Sequence, residues 1–382
     1  MFKDVDVVVV GAGLFGSVTA EQAARDGYRV AIIESRDHIG GNCYTEDDPE
    51  TGINLHRYGP HIFHTDNERV WNYICQFTEF NNYQHMSKSR VGDRTYAIPI
   101  NLDTINSFFG RNLSPTEAKE FLETVRIKND NPKNFEEQAL ALLGTELYEA
   151  FIQGYTQKQW ETDPKLLPAS VARRLPVHTN YNTTYYVNNG RFQGIPLQGF
   201  TPIFEKMLSS QLITTHLNTT WESVKDQVTD QLVVYTGPID RYFDYCLGEL
   251  NWRTLDFEYR TEPVDDYQGV AAVNHPDINT PWTREIEHRH FNPERKTTPG
   301  RTVVNREFSR AATREDTPYY PVNTEADREL FNRYRDLADQ LPRTIIGGRL
   351  GEYMYYDMHQ VIGSALAAYQ NKVKIKLTTN TQ

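Results

Sequence analysis

The sequence predicts an α/β protein whose parallel sheet is assembled from separated stretches of chain. An apolar run at residues 5–10 leads directly into a glycine-rich turn at residues 11–16. A helical pattern continues from there to Gly27, and a second apolar run covers residues 29–33. Strand, glycine turn, helix and strand in this order make one βαβ unit.

Two later apolar runs, at residues 232–237 and 343–348, read as further strands of the same parallel sheet. Because long stretches with other patterns separate these runs, the sheet must be discontinuous and interrupted by two inserted regions. We therefore predict a discontinuous Rossmann-like domain, an inserted helical domain and an antiparallel β-sheet domain. Their predicted ranges are 1–80, 197–243 and 341–382 for the first, 81–180 for the second, and 181–196 with 244–340 for the third.

The helical insertion is predicted from helix boundary signals. Ser114 followed by Pro115 is typical of an N-cap with proline at the first helical position, and Asn134 and Gly144 bracket a second helix. Residues 163–176 hold three prolines and several small residues. We expect this segment to be an exposed, mobile loop beside the substrate.

The sheet domain is predicted from alternation of Tyr, Thr, Val and Phe, for example at residues 184–187 and 286–291. This pattern would place His288 and His290 on one strand, where we interpret both as structural. A last helix should begin at Asp357, which is a good N-cap.

Composition excludes several classes of function. The 382 residues carry a formal net charge of −11, which argues against a general nucleic-acid binder. No apolar run approaches the ~20 residues needed to span a bilayer, and we expect a cytoplasmic protein without membrane insertion. The three cysteines, Cys43, Cys75 and Cys246, suit neither a disulfide framework nor a metal site. His61 and His64 likewise lack a carboxylate at ligand spacing, so we predict no metal.

The glycine-rich turn has the spacing and the context of a dinucleotide-binding loop. Gly11 permits the tight turn, Gly13 lets the backbone approach a pyrophosphate, and Gly16 lets the helix pack closely on the sheet. The helix N-terminus offers free N–H groups to the phosphates. Glu34 at the end of the second strand would accept hydrogen bonds from the adenosine ribose and would repel the 2′-phosphate of NADP.

A second glycine pair, Gly40-Gly41, follows Glu34 closely and favours FAD over NAD, because this pattern is similar to that of two-dinucleotide-fold flavoproteins. Near the other end of the chain, Gly347-Gly348-Arg349 follows a strand and precedes the helix that begins at Asp357. A helix N-terminus there would stabilise negative charge on a reduced flavin. We interpret His61 as lying against the flavin.

Arginines among aromatic residues indicate an anionic ring-bearing ligand. Phe151, Tyr155 and Trp160 recur at helical spacing; such a stripe is most often plain core, but it could also stack on a nucleobase. Arg284 and the pair Arg173-Arg174 could bind a diphosphate, since guanidinium groups do so bidentately and keep their charge. A nucleotide diphosphate would account for these residues together.

The chain resembles the UDP-galactopyranose mutase family, and its bacterial branch, over essentially its whole length. The stretches that carry the resemblance are GAGLFG, GPHIFHT, GYTQKQW, PASVARRLP, TREIEHRHF, PYYPVN and GGRLGEYMYYDMHQVI. The resemblance implies an isomerase that interconverts UDP-galactopyranose and UDP-galactofuranose with no net redox change. It implies reduced FAD whose N5 forms a covalent adduct with the anomeric carbon of the sugar, and a homodimer.

The resemblance also implies residue roles. Arg174 and Arg284 would act on the diphosphate as the catalytic arginines, and which of Arg173 and Arg174 reaches it is left open. Ile152 stands where an aromatic residue is expected. The substrate-binding residues would be Phe151, Tyr155, Thr156, Trp160, Arg174, Tyr185, Arg284, Tyr320, Tyr355 and Asp357. The cofactor-binding residues would be Gly11, Gly13, Phe15, Gly16, Glu34, Ser35, Arg36, Gly41, Asn42, His61, Arg349, Tyr356, Asp357 and Met358.

Two other functions share parts of the pattern. A flavin amine oxidase or desaturase-like oxidoreductase has the same glycine motif, but needs an apolar substrate cage where this chain offers arginines and tyrosines. A Rab GDP-dissociation-inhibitor-like binding protein has a related fold without flavin chemistry. The intact phosphate-contacting glycines and Glu34 argue against it.

Overall fold

The chain folds into two large sheets, one parallel and one mixed, with helices packed against them. The structure is a computed structural model that describes residues 2–172, 175–186 and 190–379. Its strands are β1 (Val7–Val10), β2 (Val30–Ile33), β3 (Thr45–Asp47), β4 (Asn54–His56), β5 (Phe63–Thr65), β6 (Ser87–Val91), β7 (Arg94–Ile98), β8 (Phe192–Gly194), β9 (Ile213–His216), β10 (Leu232–Tyr235), β11 (Trp252–Glu262), β12 (Ala272–Asn274), β13 (Arg284–Glu287), β14 (Thr302–Ala311), β15 (Tyr320–Pro321) and β16 (Thr344–Ile346).

The helices vary from single turns to 15 residues in length. They are α1 (Leu14–Arg25), α2 (Glu68–Ile74), α3 (Leu102–Phe109), α4 (Pro115–Val125), α5 (Phe135–Leu143), α6 (Thr145–Leu147), α7 (Gly154–Trp160), α8 (Ala169–Ala172), α9 (Thr201–Met207), α10 (Trp221–Val224), α11 (Ile239–Tyr242), α12 (Glu325–Asp339), α13 (Gly348–Gly351), α14 (Met358–Ala368) and α15 (Lys374–Thr379). Short 3-10 turns lie at Gly41–Cys43, Pro164–Leu166, Lys225–Gln227 and His288–Phe291, and π-helical turns at Tyr148–Gln153 and Tyr369–Val373.

The parallel sheet has the strand order β16-β10-β1-β2-β9. Alternate residues of a strand point to opposite faces, and both faces of this sheet are covered: Val7 and Val9 join the core under α1 and α14, while Val8 joins the opposite core. Burial on both faces explains why the strands read as continuous apolar runs. The predicted discontinuous Rossmann-like domain is confirmed, since its strands come from three separated parts of the chain.

Helix boundaries follow the capping residues. Ser114 and Glu117 form a reciprocal capping box at the start of α4, and the Asn134 side chain accepts the Glu137 N–H at the start of α5. Gly144 ends α5 with a φ of 79°. At the start of α14, the Gln360 side chain accepts the backbone N–H of Asp357 at 2.8 Å. The predicted helix signals of the insertion are therefore confirmed.

The second sheet is larger than the sequence indicated. Its order is β15-β11-β14-β13-β12-β6-β7. Strands β6 and β7 come from residues 87–98, which the sequence pattern assigns to the helical insertion. The sheet is mixed, because β12 pairs with β6 in parallel. Buried Tyr96 of β7 packs with Leu122 and Leu147. The helical region therefore packs against this edge strand.

Two predicted strand segments are not strands of this sheet. Residues 288–291 form a 3-10 turn, in which His288 is buried while His290 is half-buried. The cause is local: His288 Nδ1 accepts the backbone N–H of His56, and its Nε2 lies 2.7 Å from Asn305 Oδ1. Residues 184–186 have no strand pairing, and the Tyr186 ring stacks on His64 at 3.7 Å instead. Val187 lies outside the described residues.

The long helix α12 belongs with the parallel sheet, although its sequence range was assigned to the sheet domain. Its Tyr334 is fully buried against Val233 and Tyr235 of β10. The segment at 163–176 is also less exposed than expected, since Leu167 and Ala172 are buried against Phe135 of α5. Arg173 and Arg174 lie outside the described residues. The exact domain boundaries and the mobility of the segment stay predictions.

No helix in the described part of the chain is both long enough and apolar enough to cross a membrane.

Candidate active site

The glycine turn between β1 and α1 brings main-chain atoms close together. A Cβ atom on Gly16 would lie 2.0 Å from the Gly11 carbonyl oxygen, and one on Gly11 would lie 2.2 Å from Thr236 Oγ1. Gly11 also has a φ of +105°, a conformation that side chains disfavour. Gly41 faces Gly13, where an added Cβ would come within 3.0 Å of the Gly13 Cα. The two glycine segments thus form a backbone cleft without side chains.

Glu34 closes one end of this cleft. One carboxylate oxygen accepts the Ala12 N–H at 2.8 Å and the other accepts the Arg36 N–H at 2.9 Å. The oxygen that accepts the Arg36 N–H also accepts the Ser35 hydroxyl at 3.2 Å, so the oxygen bonded to Ala12 is the one that keeps a lone pair for a ligand hydroxyl. The Arg36 guanidinium lies 4.1 Å over the Tyr58 ring, and its Nη1 is buried without a hydrogen-bond partner among the described residues.

The far end of the cleft is formed by the segment after β16. A Cβ on Gly347 would lie 2.5 Å from the Phe15 ring, so the chain can pass α1 only as glycine. The Arg349 guanidinium that follows donates to the main-chain carbonyls of Pro318, at 3.2 Å, and Tyr319. Burial lowers the pKa of Arg349, and these carbonyl contacts fix the cation at the cleft wall.

Helix α7 and the π-helical turn before it bring aromatic rings to the other side of the cavity. Tyr155 and Trp160 line the cavity, and burial raises the pKa of Tyr155 to about 12, which keeps the phenol neutral. Phe151 is only 4% exposed and packs edge-on against Tyr96 and Phe108. Phe151 is therefore mainly core and presents only an edge to the cavity.

Arg284 is the first residue of β13 and faces the same cavity. It pairs with the carboxylate of Glu307, which is 1% exposed. Burial by itself lowers the pKa of Arg284, but the Glu307 charge outweighs it and raises that pKa well above its ordinary value. The guanidinium therefore stays charged in the cavity. Tyr320 and Tyr355 stack on each other nearby, with ring centroids 5.5 Å apart.

Three histidines line the cavity between these regions. His61 Nδ1 lies 2.8 Å from the Gly59 carbonyl oxygen, and burial lowers the pKa of His61 to about 4. Burial and the Arg284 charge lower the pKa of His85 to about 3. His61 and His85 are thus neutral at pH 7, and His85 lies edge-on to the Tyr185 ring at 4.9 Å.

A carboxylate lies beside one histidine of each pair, His61/His64 and His288/His290. This corrects the expectation from the sequence that neither pair has a carboxylate nearby. His64 Nε2 is 4.0 Å from Asp357 Oδ2, and His290 Nε2 is 3.1 Å from Asp266 Oδ1. The Glu287 carboxylate beside His290 already accepts two backbone N–H groups, those of Tyr267 and Gln268. Ordinary hydrogen bonds therefore account for the close approach of Asp266, Glu287 and His290. The absence of a bound metal remains a prediction.

One cavity of about 1100 Å³ joins the glycine cleft, the aromatic residues of α7, Arg284 and the histidines His61, His64 and His85. The predicted residues that line it are Gly11, Gly13, Phe15, Glu34, Ser35, Arg36, Gly41, Asn42, His61, Phe151, Tyr155, Trp160, Tyr185, Arg284, Tyr320, Arg349, Tyr355, Tyr356, Asp357 and Met358. Gly16 and Thr156 stand outside this lining: Gly16 packs under the turn, and Thr156 is 5% exposed inside the fold. Arg174 lies outside the described residues.

The sequence reasoning missed several lining or supporting residues. Glu307, which holds Arg284, lies on β14, and only the β13–β14 register brings the two together. Tyr58, under Arg36, and Tyr186, on His64, are ordinary aromatic positions in the sequence. The signal that could have found Glu307 is its alternation with Asn305 on a strand.

The residues present fit a bound dinucleotide. The side-chain-free cleft at Gly13 and Gly41 admits a pyrophosphate, and the Glu34 oxygen bonded to Ala12 can accept a ribose hydroxyl. The buried Arg36 Nη1, which has no partner among the described residues, needs an acceptor. The cavity volume of about 1100 Å³ lies just above the range of roughly 300–1,000 Å³ for ligand pockets. It leaves room for a second ligand beside Arg284.

Comparison with known proteins agrees with this site. A family model for an NAD(P)-binding Rossmann-like domain matches residues 9–77, and one for UDP-galactopyranose mutase matches residues 150–355. A probable UDP-galactopyranose mutase of Klebsiella pneumoniae is 44% identical, covering 94% of this chain and 93% of its own. A dTDP-fucopyranose mutase of Escherichia coli is 41% identical, covering 96% and 98%.

The fold is shared with the crystal structure of reduced UDP-galactopyranose mutase, with a TM-score of 0.72 and 15% identity over 97% of this chain and 96% of that one. Together with the relatives at 41% and 44% identity over nearly the whole length, and with a cavity that joins a dinucleotide cleft to an arginine- and tyrosine-lined chamber, this places the chain: it belongs to the UDP-galactopyranose mutase family of isomerases.

Proposed function

We propose that the protein interconverts UDP-galactopyranose and UDP-galactofuranose with FAD in the dinucleotide cleft, and that it is active when the flavin is reduced. The observation that carries this proposal is the single cavity shared by the Gly13–Gly41 cleft and by Arg284 with its tyrosines. A nucleotide sugar beside Arg284 would have its sugar toward the flavin end. When bound, the reduced flavin supplies the nucleophile for the anomeric carbon.

The chain's own residues bind and orient the substrate in this proposal. Arg284, kept charged by Glu307, neutralises the diphosphate both before and after it leaves the sugar. Tyr155 offers a neutral ring face to the uracil. Tyr185, Tyr320, Tyr355 and Asp357 line the sugar side, and Arg174 would add a second charge from a segment near the cavity.

The two competing functions fit the cavity less well. An amine oxidase or desaturase needs an apolar cage, whereas a permanently charged guanidinium and stacked tyrosines occupy that place here. A Rab GDP-dissociation-inhibitor-like protein does not need a backbone cleft shaped for a pyrophosphate. Absorbance of bound flavin in the purified protein would dispose of the second alternative.

The test is to incubate the purified protein with UDP-galactofuranose, with and without dithionite under anaerobic conditions, and to separate the nucleotide sugars by chromatography. We expect UDP-galactopyranose to form only when the flavin is reduced. A yellow, reducible protein without conversion would keep the flavin assignment and end the mutase assignment.

The dTDP-fucopyranose mutase relative makes a second substrate arm necessary. The same assay with dTDP-fucofuranose should show a kcat/KM lower than that for the UDP-sugar. A reversed preference would keep the ring-contraction reaction and change the nucleotide sugar.

The homodimer and the cytoplasmic location expected from the sequence and the family also remain proposals. Analytical ultracentrifugation of the flavin-loaded protein at several concentrations would decide the first. Fractionation of the source cells would decide the second.

A further inference from the structure

The Lys158 side chain, on helix α7, ends inside a ring of main-chain carbonyl groups. Its Nζ atom lies 2.5 Å from the carbonyl oxygen of His275, 2.9 Å from that of Asp277, 2.8 Å from that of Thr280 and 2.8 Å from that of Trp282. All four oxygens belong to the connection 275–283 between strands β12 and β13. One side chain therefore contacts the connection near both of its ends and in its middle.

Four converging carbonyl dipoles repel one another unless a cation lies between them. A lysine ammonium is a compact point charge with three N–H donors, so it can bond three carbonyls and attract the fourth. Rings of backbone carbonyls hold potassium ions in the same way. Burial lowers the pKa of Lys158 to about 8, and the neighbouring Asp277 charge opposes that lowering, so the ammonium is retained at pH 7.

A second contact one helical turn earlier fixes the same two elements. Gly154 begins α7, and a Cβ atom there would lie 2.2 Å from the Pro276 carbonyl oxygen. Residues four apart lie on one face of a helix, so Gly154 and Lys158 present a single face to the connection. Helix and connection are in contact at both ends of that face.

The two elements carry different parts of the proposed substrate site. Helix α7 places Tyr155 and Trp160 in the cavity lining. The connection ends at Arg284, which pairs with Asn274 where the β12–β13 hairpin meets the connection. Among the described residues, Lys158 itself is not part of the cavity lining, although Gln159 and Trp160 are. Any effect of Lys158 on a ligand must act through these neighbours.

We propose that Lys158 is a positioning residue: its ammonium, held by four carbonyls of the 275–283 connection, sets the distance between the aromatic helix α7 and the guanidinium of Arg284. This rests on the proposed function for the identity of the ligand, a nucleoside diphosphate that reaches from Tyr155 to Arg284. The mechanical part, a tethered cation that ties the connection to the helix, does not depend on it.

The test uses the flavin-loaded protein and two variants, Lys158→Ala and Lys158→Met. We expect the Kd for UDP and the KM for the UDP-sugar to rise by about ten- to a hundredfold in both, the range that follows when a binding group is displaced by about 1 Å. kcat should fall by less than KM rises. The bound flavin should keep its stoichiometry, because the dinucleotide cleft is built from other segments.

Chemical rescue separates this role from plain packing. Lys158→Ala leaves space for n-propylammonium, which should restore the Kd for UDP to within about threefold of wild type. Lys158→Met fills the channel without a charge and should not respond, and n-propanol should rescue neither variant. Lys158→Arg should stay impaired, because a planar fork does not match four carbonyls around one point. Lys119→Ala, on the exposed face of α4, is the matched control and should behave as wild type.

Hydrogen exchange of the backbone amides in the 275–283 connection keeps the test valid whatever the ligand is. We expect faster exchange in Lys158→Ala and slower exchange again with n-propylammonium. If wild-type protein binds no UDP, the proposed function fails while this measurement still decides the role of Lys158. Unchanged exchange, or an unchanged Kd in both variants, would overturn the inference, and so would a loss that n-propylammonium leaves unrestored.

Discussion

The two halves of the cavity differ in what lines them: main-chain atoms in one half and side chains in the other. The dinucleotide half is a backbone surface: at Gly11, Gly16 and Gly41 main-chain atoms come together where an added side chain would clash or strain the backbone. The other half is a side-chain surface, with the rings of Tyr155, Tyr320 and Tyr355 around the Arg284 guanidinium. The core of the first half is local in the sequence, at residues 11–41, and only its far end comes from the segment after β16. The second half draws on segments between residues 151 and 357.

The difference shows how each half can be altered. A backbone surface fails when any atom is added to it, and its failure should release the dinucleotide. A side-chain surface fails when an atom or charge is removed, and its failure should weaken the nucleotide sugar while the dinucleotide stays. The Arg284 and Gly16 experiments below test whether the two halves are separable in this way, and the His288 experiment measures the stability of the fold that carries both.

The largest effect should follow from removing the charge in the side-chain half. We expect Arg284→Ala to lower kcat/KM about 30- to 5,000-fold, because a desolvated charge that anchors the ligand is lost. This corresponds to a loss of roughly 2–5 kcal/mol in transition-state binding free energy. The flavin-to-protein ratio, measured by absorbance, should not change. Arg301→Ala is the control, since that arginine is half-exposed and pairs only at the surface with Glu50. Full activity in Arg284→Ala would end the diphosphate assignment, and loss of flavin would show that the halves are coupled.

Acid should destabilise the fold at His288, which is buried outside the cavity lining and is bonded to Asn305 and to the backbone N–H of His56. Burial lowers the pKa of His288 to about 4, below the ~6.5 of an unfolded histidine. The unfolded chain therefore binds the proton first, so this contribution to stability is complete above pH ~6.5 and is lost as the pH falls through about 4. The loss should reach on the order of 3 kcal/mol.

Urea unfolding of wild type and His288→Gln at pH 7 and pH 4.5 measures this effect. We expect the pH-dependent part of the unfolding free energy to shrink in the variant, whereas His178→Gln, at a partly exposed position, should leave it unchanged. An equal acid loss in wild type and His288→Gln would assign the acid sensitivity to other groups.

The smallest effect, but the most specific one, concerns the backbone half. In Gly16→Ala the added methyl group would meet the Gly11 carbonyl at 2.0 Å, and overpacking of this kind costs about 1–3 kcal/mol. We expect a lower melting temperature and a reduced flavin content. Gly363→Ala is the control: it lies within α14 with only Val70 nearby, at 3.8 Å, and should be neutral or slightly stabilising. Normal flavin content in Gly16→Ala would mean that the turn has more freedom than its geometry indicates.

The sequence was most informative where chemistry depends on neighbours in the chain. The βαβ unit, the strands at 232–235 and 344–346, and the capped starts of α4, α5 and α14 were all predicted, because turns and caps are set by local hydrogen bonds. It was least informative about pairing. Strands β6 and β7 pair with each other as a hairpin that the sequence pattern places in the helical region, and their position in the sheet depends on β12, far away in the chain. Residues 288–291 form a turn instead of the predicted strand, because His288 bonds to His56 and Asn305.

Taken by itself, the sequence determined the family, the dinucleotide cleft and a part of the residues that line the cavity, since each is recorded in a short motif or a residue type. Only the tertiary structure decided that Glu307 keeps Arg284 charged, that Thr156 is withdrawn from the cavity, and that Lys158 closes the 275–283 connection. These facts rest on strand register and on carbonyl directions. Strand register and carbonyl directions are both set by packing between distant segments, and no local sequence pattern records them. Lys158, for example, contacts a carbonyl more than a hundred residues away in the chain.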